Sequence, residues 1–317
     1  MKTDFCAHPS FLVCAEKEQI HGRGEDAFAY SFTKQDYGYI AVFDGCGGMG
    51  SKKYPLLQAK TGARIASRLA GFVADQCYEK GILFPSAHAG EMLHDALTET
   101  FAETKTVLSS GKSSVRIGGD MFKELPTTMS LITTALNEKR ELMADYLWAG
   151  DSRGYFLDKK GICQVTVDDL ETDEDAFTNL RSDAKLSNVI NADAAFVLHE
   201  NLLTFREPVL LITATDGCFG YFKTPMEFEY AILHAMQKAM DVQQWEEGLH
   251  EAVSAVAGDD FSIIISAYGF IDFISCRQYY AQRFQYLCRR FISDAANVDE
   301  TQLEALWKEY QKDYYRW

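Results

Sequence analysis

Four aspartates stand where apolar, β-prone runs of the sequence begin or end. Because Asp is a poor strand former, its repetition at such places needs an explanation. Strands of one sheet can bring their ends to a common edge, where carboxylates repel each other unless cations bind between them. Each aspartate alone is explained by a turn, but together they indicate a site for divalent cations. The four positions are Asp44, Asp151, Asp216 and Asp259.

Oxygen ligands of this kind favour Mg²⁺ or Mn²⁺, which keep part of their water shell when bound. Asp44 is followed by Gly45, whose missing side chain lets another group approach the backbone closely. The carbonyl oxygen of Gly45 is therefore a further candidate ligand. The formal charge of −15, from 46 acidic and 31 basic residues, also disfavours nucleic acid and anionic membranes as partners.

The segments around these aspartates predict strands, and longer periodic segments predict helices between them. Strands are predicted over 37–43, 129–136, 142–148, 154–157, 195–198, 202–205, 209–214 and 261–268. Helices are predicted over 55–80, 87–108, 226–240 and 242–256. Strands interleaved with helix pairs indicate an α+β protein whose sheets are covered by helices. From about residue 269 onward the pattern is helical, aromatic and charged, and predicts a C-terminal helical extension.

The cysteines and the apolar runs bear on the cellular compartment. None of the eight cysteines forms a CxxC pair, so zinc-ribbon and thioredoxin-like interpretations lack support. The first residues lack the apolar run of a secretory leader, and the most apolar stretch, 261–275, is interrupted by Asp272 and too short for a confident membrane span. We therefore expect a cytoplasmic protein with reduced thiols.

The acidic motifs, in their order along the chain, resemble those of the protein phosphatase 2C family of metal-dependent serine/threonine phosphatases. The resemblance covers about residues 10–268 and implies two stacked antiparallel β-sheets flanked by helix pairs, a four-layer α-β-β-α sandwich. A catalytic domain at 1–268 would then precede the extension at 269–317. The motifs are Gly24-Glu25-Asp26-Ala27, Asp44-Gly45-Cys46-Gly47-Gly48, Gly150-Asp151-Ser152-Arg153, Thr215-Asp216-Gly217 and Asp259-Asp260-Phe261-Ser262.

The resemblance implies a ligand set for two divalent ions, Mn²⁺ or Mg²⁺. Asp44 would bridge the two ions, and the Gly45 carbonyl and Glu25 would complete the ligands on one side. Asp216 and Asp259 would hold the other ion. Metal-activated water would then attack phosphorus in line, without a phosphoenzyme. The implied substrate is a phosphoprotein, and the implied opposing partner is a serine/threonine kinase.

The resemblance extends to three further positions. Asp151 matches a position that, with that of Asp216, binds a third and weaker metal in some members. Asp26 would orient metal-bound water. Thr128 lies near a small-residue motif of the family, and we expect it to serve packing.

The sequence departs from the family at three places. Many members have His after the first Asp-Gly, proposed as the acid for the leaving group, and Cys46 stands there. A thiol is a poorer donor near neutral pH, which predicts slower turnover or protonation of the leaving group by metal-bound water. His21 occupies the place of a phosphate-binding arginine, and Arg23, two residues later, is the predicted phosphate clamp. Asp169 stands where members often have His and is assigned no role.

Two classes of function remain open at this point. The complete carboxylate set favours an active Mn²⁺- or Mg²⁺-dependent phosphoprotein phosphatase. Cys46 and the missing arginine favour instead a phosphatase-like binding or regulatory module with little turnover. The aromatic residues of the C-terminal extension either dock a partner or a second copy, or pack back on the domain, and we favour packing.

Overall fold

In the part of the chain that the structure describes, ten strands build two antiparallel sheets of five, and two short strands form a separate hairpin. The computed structural model of the chain describes residues 3, 5–86, 88–109, 122–172, 174–181, 184–293 and 300–317. Its strands are β1 (Phe11–Lys17), β2 (Ala27–Ser31), β3 (Tyr37–Phe43), β4 (Lys53–Tyr54), β5 (Lys60–Thr61), β6 (Met129–Leu136), β7 (Leu142–Ala149), β8 (Arg153–Asp158), β9 (Gly161–Gln164), β10 (His199–Phe205), β11 (Val209–Ala214) and β12 (Phe261–Tyr268).

The two sheets stack face to face. Sheet A has the order β1-β12-β11-β8-β9, and sheet B the order β10-β7-β6-β3-β2. Because side chains alternate along a strand, one face of each sheet meets the other sheet and the opposite face meets helices. Ile40 of β3 and Ile264 of β12 lie in the core between the sheets, whereas their neighbours Tyr39 and Ile263 pack on the helical side.

Helices cover both outer faces of the sandwich. The pair α1 (Gly62–Glu79) and α2 (Ala89–Ser109) packs on sheet B. Two short helices, α3 (Ala176–Asn179) and α4 (Asp216–Phe219), lie in connections. On sheet A lie α5 (Pro225–Lys238), α6 (Val242–Ser254), α7 (Phe273–Leu287), which continues as a π-helix to Ile292, and α8 (Glu300–Tyr314). The predicted four-layer α-β-β-α architecture is confirmed.

Several predicted elements agree closely with the structure. The strands predicted at 37–43, 129–136, 209–214 and 261–268 have those same bounds. Each is a long run of apolar and β-branched residues buried on both faces, which makes its limits easy to read. The second predicted helix begins at Ala89; Ala87, its predicted start, lies outside the described residues. In those residues no helix has the length and apolar character that crossing a membrane requires.

The helix predicted from residue 55 begins later than expected. Pro55–Leu57 form one turn of 3₁₀-helix, and Gln58 and Ala59 have positive φ angles of 55° and 57°. Helix α1 starts only at Gly62, because the Thr61 hydroxyl accepts a hydrogen bond from the backbone N–H of Arg64 and caps it.

The strand predicted at 195–198 is wrong. Those residues have no regular secondary structure. The Asn188 side chain occupies the N–H and the carbonyl of Val197, which would otherwise pair with a neighbouring strand. Its Oδ1 accepts from the Val197 N–H at 3.0 Å, and its Nδ2 donates to the Val197 carbonyl at 2.9 Å. Regular pairing begins at His199, earlier than the predicted strand at 202–205.

The C-terminal helices pack back on sheet A. Arg283 of α7 donates to both oxygens of Glu229 on α5 at 2.7 Å, and both side chains are buried. Tyr310 of α8 donates a hydrogen bond to the same carboxylate. Trp307 and Tyr314 of α8 are also buried in this layer. These contacts agree with packing rather than with a free docking arm.

Candidate metal centre

Strand pairing brings the predicted acids to one end of the sandwich. Asp26 precedes β2 and Asp44 follows β3, and the first pair of this ladder joins Ala27 to Phe43. Asp216 follows β11 and Asp259 precedes β12, which are also antiparallel neighbours. Antiparallel pairing places the end of one strand beside the start of the next, so each sheet contributes two carboxylates to the same edge.

The backbone around Asp44 is tightly held. Its carbonyl accepts a hydrogen bond from the Thr127 hydroxyl at 2.7 Å and another from the Thr128 N–H at 2.8 Å. A Cβ atom at Gly45 would lie 2.5 Å from the carbonyl oxygen of Ala63, so only glycine fits there. The glycine of this motif is thus explained by the close approach of α1, whether or not its carbonyl binds a metal.

Asp26, Asp44 and Asp216 interact directly. Asp44 interacts electrostatically with both other carboxyls, and Asp26 accepts a hydrogen bond from the Thr215 hydroxyl at 2.7 Å. Burial raises the pKa of Asp26 to about 8, with a further increase from the charge of Asp216. Burial, and then the charges of Asp26 and Asp216, raise the pKa of Asp44 well above its usual range. Crowded carboxyls of this kind hold protons or cations between them.

Asp151 joins the cluster from the turn between the two sheets. Burial, and then the charge of Asp216, raise the pKa of Asp151 well above its usual range. Its Oδ1 is buried and has no hydrogen-bond partner in the described residues. Such an atom is costly unless something binds it, and a cation is the partner that fits a carboxylate oxygen.

Glu25 lies beside the start of α1 and the acids that precede β12. Its carboxylate accepts a hydrogen bond from the Thr61 hydroxyl, and its backbone N–H donates to Oδ2 of Asp260 at 2.8 Å. Burial raises the pKa of Glu25, and the charges of Asp260 and Asp259 add to the increase. Asp259 also acts on Asp216, so this acid lies within electrostatic range of both predicted ion positions.

Cys46 lies beside these carboxyls. Burial raises the pKa of its thiol well above the usual range, and the charges of Asp44, Asp151 and Asp216 act in the same direction. The thiol is therefore protonated at neutral pH, close to the acids that the reaction would use.

The predicted phosphate-binding residues lie on the surface. His21 is fully exposed, with Nδ1 3.9 Å from Glu18, and the Arg23 side chain is exposed on the same loop. The arginine that sequence reasoning missed is Arg64 of α1, which donates to Glu18 at 3.1 Å and to the Gly24 carbonyl. Glu18 and Gly24 lie 46 and 40 residues before Arg64, so nothing near Arg64 in the sequence indicated these contacts.

Two further acids after β9 support the turn that carries Asp151. Asp168 forms a buried ion pair with Arg153. Asp169 accepts a hydrogen bond from the Gly150 N–H at 2.9 Å and contacts Nε2 of His199 at 2.8 Å. Sequence reasoning missed His199 because it lies 30 residues from Asp169, on another strand.

The donor set fits a divalent cation by its chemistry, since it is made of clustered carboxylates, one of them with an orphaned oxygen. Within the described residues, however, no group of three or more His, Cys, Asp or Glu side chains is arranged to hold a metal ion. Asp26 and Glu25 accept hydrogen bonds from the hydroxyls of Thr215 and Thr61. A bound cation would compete with these hydroxyls for the carboxylate oxygens.

The fold is shared with solved bacterial serine/threonine phosphatases. Stp1 from Staphylococcus aureus is 17% identical with a TM-score of 0.56, and the match covers 81% of this chain and 94% of that one. PstP from Mycobacterium tuberculosis is 15% identical with a TM-score of 0.53, covering 80% and 97%. Another structure of the PstP catalytic domain, in complex with two manganese ions, matches with the same identity and score, covering 81% and 99%.

The match accounts for nearly all of each bacterial phosphatase but leaves about a fifth of this chain uncovered. No protein-family model matches the sequence, and no curated protein matches it either. At these identities the likeness establishes a common fold.

Proposed function

We propose that this protein hydrolyses phosphoserine and phosphothreonine in proteins with the help of two divalent ions, Mn²⁺ or Mg²⁺. The observation that carries the proposal is the convergence of Asp26, Asp44, Asp151 and Asp216 at one edge of this fold. Solved proteins of the same fold are serine/threonine phosphatases, and one of them contains two manganese ions.

The proposed ligands divide between the two ions. Asp44 would serve both, with Glu25 and the Gly45 carbonyl on one side and with Asp216 and Asp259 on the other. Bound divalent ions lower the pKa of water to produce a hydroxide nucleophile, and they neutralise charge on the phosphoryl oxygens. Asp151, with its unpartnered oxygen, is the proposed ligand of a third and weaker ion together with Asp216.

The chain's own groups prepare the attack. Asp26, held by the Thr215 hydroxyl, is the proposed acceptor that orients the attacking water. Its pKa of about 8 in the metal-free state, raised by burial, falls when cations neutralise its neighbours, which makes it an acceptor at neutral pH. The protonated Cys46 thiol, beside Asp44, is the proposed proton donor to the leaving alkoxide, but as a weak acid it donates slowly.

Arg23 is the proposed phosphate clamp. Its exposed side chain is free to turn towards a bound phosphoryl group, whereas Arg64 is already committed to Glu18 and the Gly24 carbonyl. A guanidinium binds two phosphoryl oxygens at once. His21 is a second donor on the same loop when protonated.

The second candidate function is a binding or regulatory module that recognises phosphoprotein without turning it over. The observation in its favour is Cys46, which replaces the stronger proton donor that many phosphatases have at this place. We also propose a cytoplasmic location, in line with eight free cysteines, and a serine/threonine kinase acting in opposition.

Hydrolysis of p-nitrophenyl phosphate separates these functions. We expect turnover with Mn²⁺ that EDTA abolishes and that Asp216→Asn lowers at least 100-fold, since a removed metal ligand removes the nucleophile. Activity that survives both EDTA and the substitution would overturn the metal mechanism. Absence of activity on this substrate and on phosphopeptides, with Mn²⁺ binding intact, would favour the binding module.

A further inference from the structure

A cavity of about 340 Å³ opens beside the acidic cluster. Asp151 and Asp216 line it on the side of the cluster, together with Tyr221. The other side is formed by residues that follow β9, among them Asp168 and Leu180. We call residues 164–172 and 174–181 the pocket wall. Any substrate larger than a phosphoryl group that reaches Asp216 through this cavity must pass along the pocket wall.

The pocket wall is packed on one side only, where Val165, Ala176 and Phe177 are buried in the core. A second cavity, of about 310 Å³, borders it and is lined by Thr166, Asp175 and Ala176 of the wall and by Tyr315. A segment next to open space lacks contact atoms there and loses their dispersion attraction. On the side that faces this cavity, hydrogen bonds contribute to fixing the position of the wall.

Those hydrogen bonds come from the end of the chain. The Trp307 indole N–H donates to Oδ2 of Asp175 at 2.8 Å, and the Tyr315 hydroxyl accepts from the Ala176 N–H at 2.8 Å. The Tyr314 hydroxyl donates to Oε1 of Gln164 at 3.0 Å. Each contact joins residues more than 130 positions apart in the sequence.

Within the pocket wall the contacts continue to the cavity. Nε2 of Gln164 donates to Oδ1 of Asp168 at 3.1 Å, and Nδ2 of Asn179 donates to its Oδ2 at 3.0 Å. Asp168 in turn holds the guanidinium of Arg153, which also lines the cavity. A continuous set of hydrogen bonds thus leads from Tyr314 to the cavity beside Asp151.

We propose that the C-terminal segment positions the pocket wall for substrate binding, with Tyr314 and Tyr315 as positioning residues. The hydroxyls of both residues act through the wall and do not reach the acidic cluster. The proposal rests on the proposed phosphatase function for its kinetic part only. It assigns a role in recognising a phosphopeptide to a part of the chain that carries none of the proposed catalytic residues.

The test uses the full chain with both hydroxyls removed, Tyr314→Phe combined with Tyr315→Phe. Tyr310→Phe is the matched control: it removes a buried hydroxyl from the same helix, but one that binds Glu229 and not the pocket wall. Hydrogen exchange followed by mass spectrometry reports on the wall without any need for activity. We expect amides of the pocket wall to exchange at least tenfold faster in the double variant than in the control.

Kinetics provide the second measurement. With Mn²⁺, we expect KM for a phosphopeptide to rise at least fivefold in the double variant, while kcat/KM for p-nitrophenyl phosphate stays within twofold of the unmodified protein. The small substrate has no peptide chain, so we expect it to make far fewer contacts along the pocket wall than a phosphopeptide does. Tyr310→Phe is expected to lower thermal stability and leave both kinetic constants unchanged.

The outcomes separate the two proposals. Equal exchange in the double variant and in Tyr310→Phe overturns the positioning role, and so does faster exchange with an unchanged KM for the phosphopeptide. If the unmodified protein with Mn²⁺ hydrolyses neither substrate, the proposed function fails, and the exchange comparison alone decides whether the C-terminal segment positions the wall.

Discussion

Arg153 and Asp168 form a buried, two-pronged ion pair, in which Nε and Nη2 donate to the two carboxylate oxygens at 2.9 and 2.6 Å. The side chains are 3% and 4% exposed. The guanidinium also stacks over the ring of Phe219, 4.2 Å from its centroid. The pair joins the turn that carries Asp151 to the segment after β9, and so fixes one boundary of the cavity beside the acidic cluster.

We predict that Arg153→Lys destabilises the protein by about 1.5–3 kcal/mol, because lysine cannot donate in the two-pronged geometry and leaves a buried carboxylate under-satisfied. Urea denaturation measures the loss. Arg206→Lys is the matched control, since Arg206 is 74% exposed in its pair with Glu141, and we expect a change below about 0.5 kcal/mol there. Equal losses of unfolding free energy in the two variants would contradict the stabilising role of the Arg153–Asp168 pair.

Mn²⁺ is predicted to stabilise the folded protein, because it binds the acidic cluster only when the strand ends are brought together. At 100 times its dissociation constant a ligand adds about 2.7 kcal/mol of stability. Thermal unfolding with Mn²⁺ and after EDTA measures the effect. Asp44→Asn is expected to remove the Mn²⁺-dependent shift and to raise Tm without metal at pH 8, since it relieves repulsion.

The control for this prediction is Asp36→Asn, which changes an exposed carboxylate. It is expected to leave both the Mn²⁺-dependent shift and the metal-free Tm unchanged. If Mn²⁺ still raises Tm in Asp44→Asn, the cation binds at another site.

Cys46→His is predicted to raise kcat for a phosphopeptide at least tenfold near pH 7, because imidazole is the stronger proton donor to the leaving alkoxide. Cys46→Ala separates this effect from simple removal of the thiol, and its kcat is expected to stay at or below that of the unmodified protein. Unchanged or lower turnover in the histidine variant would count against a proton-donating role for residue 46.

Stability is predicted to fall as pH rises from about 5 to 9, in part because of Asp145. This β7 residue is buried, and neither of its oxygens has a hydrogen-bond partner in the described residues. Burial, and then the charge of Glu200, raise the pKa of Asp145 to about 8. The folded state thus binds this proton more tightly than the unfolded state, whose aspartates titrate near pH 4. The stability that this bound proton contributes is complete below about pH 4 and is lost as pH rises through about 8.

Asp145→Asn tests this contribution, because the amide is neutral throughout the range and can donate to Glu200. We expect the variant to be more stable than the unmodified protein by about 2 kcal/mol at pH 9 and nearly equal to it at pH 5. Urea denaturation at several pH values measures both. The raised pKa values of Asp26 and Asp44 act in the same direction. We therefore expect the unfolding free energy of the variant to fall less steeply with pH, but still to fall.

Truncation after Ser275 is predicted to give an aggregated protein. It removes Tyr280, Trp307, Tyr310 and Tyr314, which are buried against sheet A, and leaves Glu229 as an unpaired buried carboxylate. Size-exclusion chromatography and circular dichroism measure the result. A folded, active product would show instead that the C-terminal helices form a separable docking unit.

The architecture and the edge that carries the acids were predictable because they depend on local patterns. Long apolar runs such as Tyr37–Phe43 define strands, and Asp44 at the end of such a run is visible in the sequence. Glu25 and Asp26 have no such local signal, and their place in the site followed only from the family resemblance. Their roles as ligands and water-orienting group stay predictions.

Other features could not be predicted because they depend on contacts between distant segments. Tyr314 meets Gln164 across 150 residues, and nothing near either residue indicates the pairing. Asp145 lies inside a strand whose neighbours are apolar, so a buried carboxyl beside Glu200 required the register of β7 and β10. The late start of α1 depended on the Thr61 cap, which competes with a helical pattern that extends further upstream.

The origin of the acids in both sheets has a mechanical consequence. Asp26 and Asp44 flank strands of sheet B, and Asp216 and Asp259 flank strands of sheet A. Their mutual repulsion acts across the seam between the layers, so it strains the sandwich at this one end and nowhere along its length. A cation held between Asp44 and Asp216 would join the two layers at this end. If the proposed ions bind there, we expect their removal to make this end of the sandwich the first site of proteolytic cleavage.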